Sequence, residues 1–167
     1  ETLPRLAAGP AGRYLAVWQD TVAGVDGAPD VMGRLLNVNG AAVSALLPIA
    51  TESAYAENAP VVAYNARARS FLVAWHGAPQ SEAGYAPDIY ARQLDAQGGL
   101  TTAVLPVAVA ADSARLWPGI AARDGHTEWL LAWEDGRADP GAERVGVYAR
   151  RQQAMWFIYL PLVMRNR

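Results

Sequence analysis

Carboxylates follow two of the chain's tryptophan-ending segments, and paired carboxylates are the groups that hydrolyse glycosidic bonds. They are Asp20 in the first segment and Glu134 with Asp135 in the third, whereas the second segment has 76–77, His-Gly, at that place. Hydrolysis needs two carboxyl groups that face each other across one bond. Nothing in the spacing brings these residues to one point, so we interpret them as polar turn residues.

Two histidines and two acidic loops are the candidate metal ligands. His76 and His126 have no partner at the spacing of a metal site, and we interpret both as surface or turn residues. Ranges 26–30 and 135–139 each hold two aspartates and a glycine, which suits calcium bound by oxygen atoms. Their spacing departs from the known calcium loop, and Arg137 opposes a cation. We expect no metal and no cofactor.

Arginine and tryptophan recur at fixed places in the chain. An arginine can satisfy carbonyl or carboxylate groups between repeated units, and this is the role we predict, with binding of a repeated anionic or sugar ligand as the alternative. Each tryptophan ends an apolar run and is predicted to lie in the core, although an exposed one would stack on sugars. The arginines are Arg34, Arg92 and Arg150, and the tryptophans are Trp18, Trp75 and Trp133.

These residues belong to a repeat with four landmarks in constant order. A proline precedes a short apolar strand at Pro4, Pro60 and Pro118, spaced 56 and 58 residues apart. An aromatic-led strand then ends in tryptophan, at 14–18, 71–75 and 129–133. A third strand ends in arginine, at 30–34, 88–92 and 146–150, and a Leu-Pro run closes each unit, at 47–50, 105–108 and 160–163. Such a period indicates stacked units of one structure.

Each unit is predicted to contain four short strands, because Val, Leu, Ile and aromatic runs alternate with Gly, Pro, Asn and Asp. The polar turns 37–40 and 95–98 end in glycine, as turns between antiparallel strands do. We predict an all-β fold of three four-stranded antiparallel, blade-like repeats that form an incomplete ring or one completed by neighbouring subunits. The predicted bounds are 3–54, 55–114 and 115–154, followed by a C-terminal strand at 155–164.

The strand motifs resemble those of secreted bacterial β-propeller repeats. The resemblance rests on the aromatic-Leu-Val-x-Trp strand at 71–75, the Asp-Ile-Tyr-x-Arg strand at 88–92 and the Asp-x-x-Gly turn at 95–98, and its three copies cover nearly the whole chain. The run 159–165 is similar to a short C-terminal tail on secreted proteins of some filamentous bacteria. The resemblance implies a propeller-like architecture at the cell surface or outside the cell, and it implies no particular activity.

Composition removes several classes of function. The net charge is −2, so no basic face is expected to hold nucleic acid or anionic lipid. The chain has no cysteine, and all 14 of its basic residues are arginine, which excludes thiolate sites, Schiff-base lysines and phosphate-loop lysines. The longest apolar stretch, 155–164, is about half as long as a membrane-spanning helix and contains a proline, so no membrane span is expected.

Three blades are too few to close a ring, since propellers have four to eight. The exposed edges predict self-association. The C-terminal run is apolar on both faces and either completes its own blade or adds to a neighbouring subunit. The residues predicted at a subunit interface are Trp156, Phe157, Ile158, Tyr159, Leu160, Leu162 and Val163.

We therefore expect an extracellular structural protein that self-associates without covalent links and is not an enzyme, such as a filament or sheath subunit built by strand addition. The alternatives are a carbohydrate-binding or adhesion module, with extracellular glycans as partners, and a fragment of a glycosidase propeller.

Overall fold

The computed structural model describes residues 2–21, 28–52, 55–79, 86–109, 113–136, 146–154 and 162–163. Within these ranges the regular structure is β-strand, apart from 3-10 conformation at Pro10–Gly12 and at Gly136. The strands are β1 Thr2–Ala8, β2 Tyr14–Asp20, β3 Asp30–Leu36, β4 Leu47–Ala50, β5 Tyr55–Asn65, β6 Ser70–Pro79, β7 Asp88–Asp95, β8 Leu105–Ala108, β9 Arg115–Ala122, β10 Glu128–Asp135, β11 Gly146–Gln153 and β12 Leu162–Val163.

The strands form three four-stranded sheets, each made of consecutive antiparallel strands. We name them blade 1 (β1–β4), blade 2 (β5–β8) and blade 3 (β9–β12), and in each the order in space is the order in the chain. The predicted all-β fold of three blade-like repeats is confirmed. The first strand of blade 2 contacts the first strands of both neighbours, so β1, β5 and β9 lie side by side.

The polar turns that were predicted from their glycines follow the third strand in blades 1 and 2 and lie between that strand and the fourth. The side chain of Asn37 accepts hydrogen bonds from the backbone N–H groups of Asn39 and Ala41, and Asp95 does the same in blade 2. The turn glycine Gly40 has φ +78°, a left-handed conformation that glycine adopts without steric penalty. The same side-chain chemistry thus builds the same turn twice.

A bulge interrupts the pairing of the first and second strands in every blade. It falls at the residue before the repeat proline, Leu3, Ala59 or Trp117, and each has φ near +50°. Proline cannot donate to the ladder, and a left-handed non-glycine residue costs about 1–2 kcal/mol. The same left-handed conformation thus recurs at the same place in all three blades, including at Leu3, which is exposed.

Two apolar cores lie between the blades. The first joins Leu15 and Val17 of blade 1 to Phe71 and Trp75 of blade 2, all of them buried. The second joins blade 2 to blade 3, and its buried members are Leu72, Ala74, Ile89, Ala91, Val107, Trp129, Leu131 and Trp133. Burying each large side chain is worth roughly 1.5–3 kcal/mol. Strand β6 serves both cores, which explains its uninterrupted apolar run.

Candidate functional site

The recurring arginines connect adjacent blades. Nη1 of Arg92 in blade 2 donates to the carbonyl of Ile49 in β4 of blade 1, at 2.8 Å. Arg150 of blade 3 donates in the same way to the carbonyl of Val107 in β8 of blade 2. The prediction that these arginines satisfy carbonyls between repeats is confirmed at both interfaces.

Arg34, the corresponding arginine of blade 1, faces a groove instead of another blade. Its Nε donates to the carbonyl of Ser44 at 3.3 Å, as Nε of Arg92 donates to Thr102 at 3.0 Å. The guanidinium is therefore held in the same way in both blades. The groove has a volume of about 580 Å³, and Trp18 forms part of its wall.

The groove lies on the face of blade 1 that corresponds to the buried faces of the other blades. The repeat places Tyr14, Ala16 and Trp18 where blade 2 has Phe71, Val73 and Trp75 and blade 3 has Trp129, Leu131 and Trp133. The members in blades 2 and 3 are buried. Tyr14 is exposed, and Ala16 and Trp18 are half-buried. We call this surface the leading face. The prediction that the three tryptophans lie in the core holds for Trp75 and Trp133 but is wrong for Trp18.

The far side of blade 3 exposes the opposite half of the same interface. Leu130 is 51% exposed, although its counterparts Leu15 and Leu72 are fully buried. Val147 is 58% exposed, although Val31 occupies the corresponding place in blade 1 with no exposure at all. We call this surface the trailing face. The chain thus carries both halves of a blade-to-blade contact, one at each end.

A buried ion pair lies between blades 2 and 3. Nη1 of Arg115 lies 2.9 Å from Oδ1 of Asp88, and its Nε lies 3.3 Å from Oδ2 of Asp135. The indole N–H of Trp133 donates to the same Oδ2 at 3.2 Å. Two carboxylates thus share one guanidinium in a site closed to solvent, where such pairs interact strongly.

The interface between blades 1 and 2 carries a different set of groups in the same place. Glu57 stands three residues before its repeat proline, as Arg115 does, and the backbone N–H of each donates to a proline carbonyl of the preceding blade. Gly77 stands where Asp135 stands in blade 3. Here, therefore, an acid replaces the arginine and a glycine replaces the aspartate.

Glu57 is 3% exposed, and its Oε2 has no hydrogen-bond partner. Burial, reinforced by the nearby Asp30 carboxylate, raises the pKa of Glu57 to about 8. The carboxyl group is therefore mostly protonated at neutral pH.

His76 joins blades 2 and 3 near the bulge. It is 8% exposed, its Nδ1 accepts the backbone N–H of Trp117 at 3.4 Å, and the two rings meet edge to face. Burial lowers the pKa of His76 to about 4. Gln19 does the same work in blade 1, where its side-chain oxygen accepts the N–H of Ala59 at 3.5 Å. The prediction of a surface or turn histidine is therefore wrong for His76, while His126 lies in a turn.

The carboxylates that were candidates for hydrolysis have different surroundings in the structure. Asp20 lies opposite Asp30 in the pairing of strands β2 and β3. Asp135 binds Arg115, and Glu134 is exposed on β10. Among the described residues no group of three His, Asp or Glu side chains is placed to hold a metal ion. Of the two predicted calcium loops, residues 26–27 and 137–139 lie outside the described ranges.

The predicted subunit interface falls mainly outside the described ranges, because they contain only Leu162 and Val163 of that run. These two residues form β12 and pair with Tyr148 and Ala149 of β11 in the same chain. Within the described part of the chain, no helix has the length and apolar character needed to cross a membrane.

Comparison with protein families and with curated proteins finds no match. Among solved structures the chain is similar to an α-L-arabinofuranosidase from Lactobacillus brevis, with a TM-score of 0.61 and 14% sequence identity. The match covers 96% of this chain and 52% of the arabinofuranosidase, so the chain spans about half the length of that protein. At this identity the likeness establishes a shared β-sheet architecture.

Proposed function

We propose that the protein is an extracellular structural subunit that self-associates by docking the trailing face of one copy onto the leading face of another. The observation that carries the proposal is Arg34. It sits beside an open groove, in the place from which Arg92 and Arg150 bind the preceding blade.

The two faces are chemically complementary. An incoming trailing face would bring Leu130 and Val147 against Trp18 and Ala16, which repeats the contact of Leu15 and Val31 with blade 2. The repeat aligns the Leu-Pro runs, so Leu162 of the incoming copy corresponds to Ile49 and Val107. Arg34 would therefore donate to a carbonyl of the incoming β12. In this arrangement the apolar C-terminal strand would lie at the subunit contact.

Head-to-tail docking of identical copies produces either a ring or a filament. Two copies supply six blades, within the four to eight that propellers use, so a closed pair is the expected assembly. A filament or sheath results where the rotation between copies does not close.

Sedimentation velocity over a range of concentrations tests the proposal. The wild type should form a species of two copies, and electron microscopy should show rings. Arg34→Ala and Leu130→Arg should each weaken association by at least about tenfold, because each damages one face. Arg67→Ala, at an exposed arginine in a turn of blade 2, is the matched control.

Mixing the two interface variants provides a sharper test. Each keeps one intact face, so Arg34→Ala and Leu130→Arg should pair with each other through a single wild-type contact. A wild type that stays monomeric at high concentration, or an assembly that both variants leave unchanged, would refute the proposal.

A second candidate, part of a glycosidase propeller, is supported by the likeness to the arabinofuranosidase. The engagement of Asp135 with Arg115 and Trp133 argues against its use as a catalytic acid. We expect no release of nitrophenol from a nitrophenyl arabinofuranoside. Measurable turnover that Asp135→Asn abolishes would favour the enzyme.

A further inference from the structure

A cavity opens beside Glu57 at the interface of blades 1 and 2. Its volume is about 240 Å³, and its walls include Glu52, Tyr55, Glu57, Trp75 and Tyr90. Drug-sized ligands occupy about 300–1,000 Å³, so this space suits a smaller molecule.

Gly77 contributes to this opening. In blade 3 the corresponding Asp135 directs its carboxylate toward Arg115 and Trp133, whereas Gly77 places no side chain beside Trp75 and Tyr90. The nearest atoms to a Cβ built on Gly77 are those of the Tyr90 ring, at 3.5 Å. The missing aspartate side chain thus leaves room between the aromatic rings and Glu57.

Charge distinguishes this cavity from its counterpart between blades 2 and 3. There the guanidinium of Arg115 stands between two carboxylates. Here the wall contains the acidic residues Glu52 and Glu57, Asp30 faces Glu57 from β3, and no described wall residue is basic. The acid group of Glu57, which is nine-tenths buried, retains an unpaired Oε2.

We propose that this cavity binds a small organic cation, a free guanidinium or primary ammonium compound. Its charged group would take the hydrogen bond that Oε2 of Glu57 leaves open, in the role that Arg115 plays one interface further on. The rings of Trp75 and Tyr90 have centroids 6.4 Å apart and lie 27° from parallel. An aromatic ring attracts a cation that lies over its face.

An organic cation suits the site better than a metal ion or a neutral sugar. A metal ion needs several converging ligands, and the described residues offer no group of three. A neutral sugar would bring no positive charge to this acidic wall. The cation instead allows Glu57 to ionise, so binding should release a proton near pH 7.

Isothermal titration calorimetry with methylguanidinium chloride tests this proposal. The wild type should bind one equivalent per chain, and the heat should depend on the ionisation enthalpy of the buffer, which reports the released proton. Glu57→Gln should weaken binding by at least about tenfold. Glu134→Gln removes one exposed carboxylate elsewhere and should leave the affinity unchanged.

A second variant tests the proposal even if Glu57→Gln does not fold. Glu57→Arg supplies the guanidinium within the chain, opposite Asp30, and should abolish binding of methylguanidinium while raising the melting temperature. Arabinose serves as the neutral probe. Failure of methylguanidinium to bind the wild type, binding that Glu57→Gln leaves intact, or binding of arabinose alone would each overturn the proposal.

Discussion

Nη1 of Arg115 lies 2.9 Å from Oδ1 of Asp88 across the interface of blades 2 and 3, and neither side chain is more than 1% exposed. Arg115 belongs to blade 3 and Asp88 to blade 2, so the packing of these two blades depends on the compensation of their buried charges. Because Asp135 shares the same guanidinium, removing the arginine would leave two buried carboxylates without a cation.

Replacing Arg115 with methionine should therefore destabilise the fold by about 3–5 kcal/mol, since methionine fills much of the volume but cannot compensate the carboxylates. Urea unfolding followed by tryptophan fluorescence measures the change. Arg123→Met is the control, because the Arg123–Glu128 pair lies 3.2 Å apart with the arginine 57% exposed. That variant should leave the free energy of unfolding nearly unchanged. Equal effects of the two substitutions would show that burial of the Arg115 pair does not increase its contribution to the free energy of unfolding.

Acid should destabilise the protein through His76. Its pKa falls from 6.5 to about 4 on folding because burial disfavours the charged ring. The unfolded chain thus binds the proton more readily, and this contribution to stability is lost as the pH falls from 6.5 toward 4. The loss should reach about 2–3 kcal/mol.

His76→Gln should remove this acid sensitivity. Glutamine already performs the role at Gln19, where it accepts the corresponding bulge N–H, so the replacement preserves the hydrogen bond. The difference in free energy of unfolding between variant and wild type, followed by urea titration from pH 7 to 4, isolates the histidine. A difference that does not change with pH would show that the ring is not the group responsible.

Glu57 should act in the opposite direction. Folding raises its pKa from 4.5 to about 8, so the folded state holds the proton more tightly, and stability declines as the pH rises from 4.5 to 8. The decline should be about 2–5 kcal/mol, first because burial disfavours the carboxylate and second because Asp30 lies nearby.

Glu57→Gln should flatten the alkaline part of the stability profile, and the relevant quantity is the slope between pH 6 and 8. Glu52→Gln, at an exposed carboxylate of the same cavity, is the matched control and should keep most of the wild-type slope. A Glu57→Gln variant that retains the full slope would assign the effect to another group.

The regular parts of the repeat could be predicted from the sequence, because a residue that recurs at the same place in each unit makes the same contact each time. The inter-blade arginines are an example: three arginines at one landmark predicted a carbonyl contact, and Arg92 and Arg150 make it. The turn at 37–40 was predictable for the same reason, since its Asn and Gly act locally.

The irregular positions were missed. Glu57 and Arg115 stand at the same place in the repeat, one acidic and one basic, and Gly77 stands at the place that Asp135 occupies in blade 3. The sequence does show that both positions differ between blades 2 and 3. It does not show that the two positions lie close together at an interface between blades. His76 was interpreted as a surface or turn residue because it has no partner at the spacing of a metal site, but β6 continues through it to Pro79. Trp18 repeats the core pattern and yet lies at an open face, because burial there depends on a neighbour.

The approach of Gly9 to Phe71 provides a test of packing between blades 1 and 2. A Cβ on Gly9 would lie 2.5 Å from Cζ of the Phe71 ring, which has no exposure and therefore little freedom to move. Gly9 has φ −116°, a conformation open to any residue, so the obstacle is steric alone. Gly9→Ala should destabilise the protein by about 1–3 kcal/mol, measured by urea unfolding.

Gly119→Ala is the matched control, because the nearest atom to its Cβ is the Ala132 carbonyl oxygen at 3.9 Å. That change should be close to neutral. The double variant Gly9→Ala, Phe71→Leu replaces the ring with a shorter side chain that lacks the atom which the alanine Cβ would contact. It should therefore lose less free energy of unfolding than the sum of the two single variants. Strict additivity would contradict the contact, because independent sites add and touching ones do not.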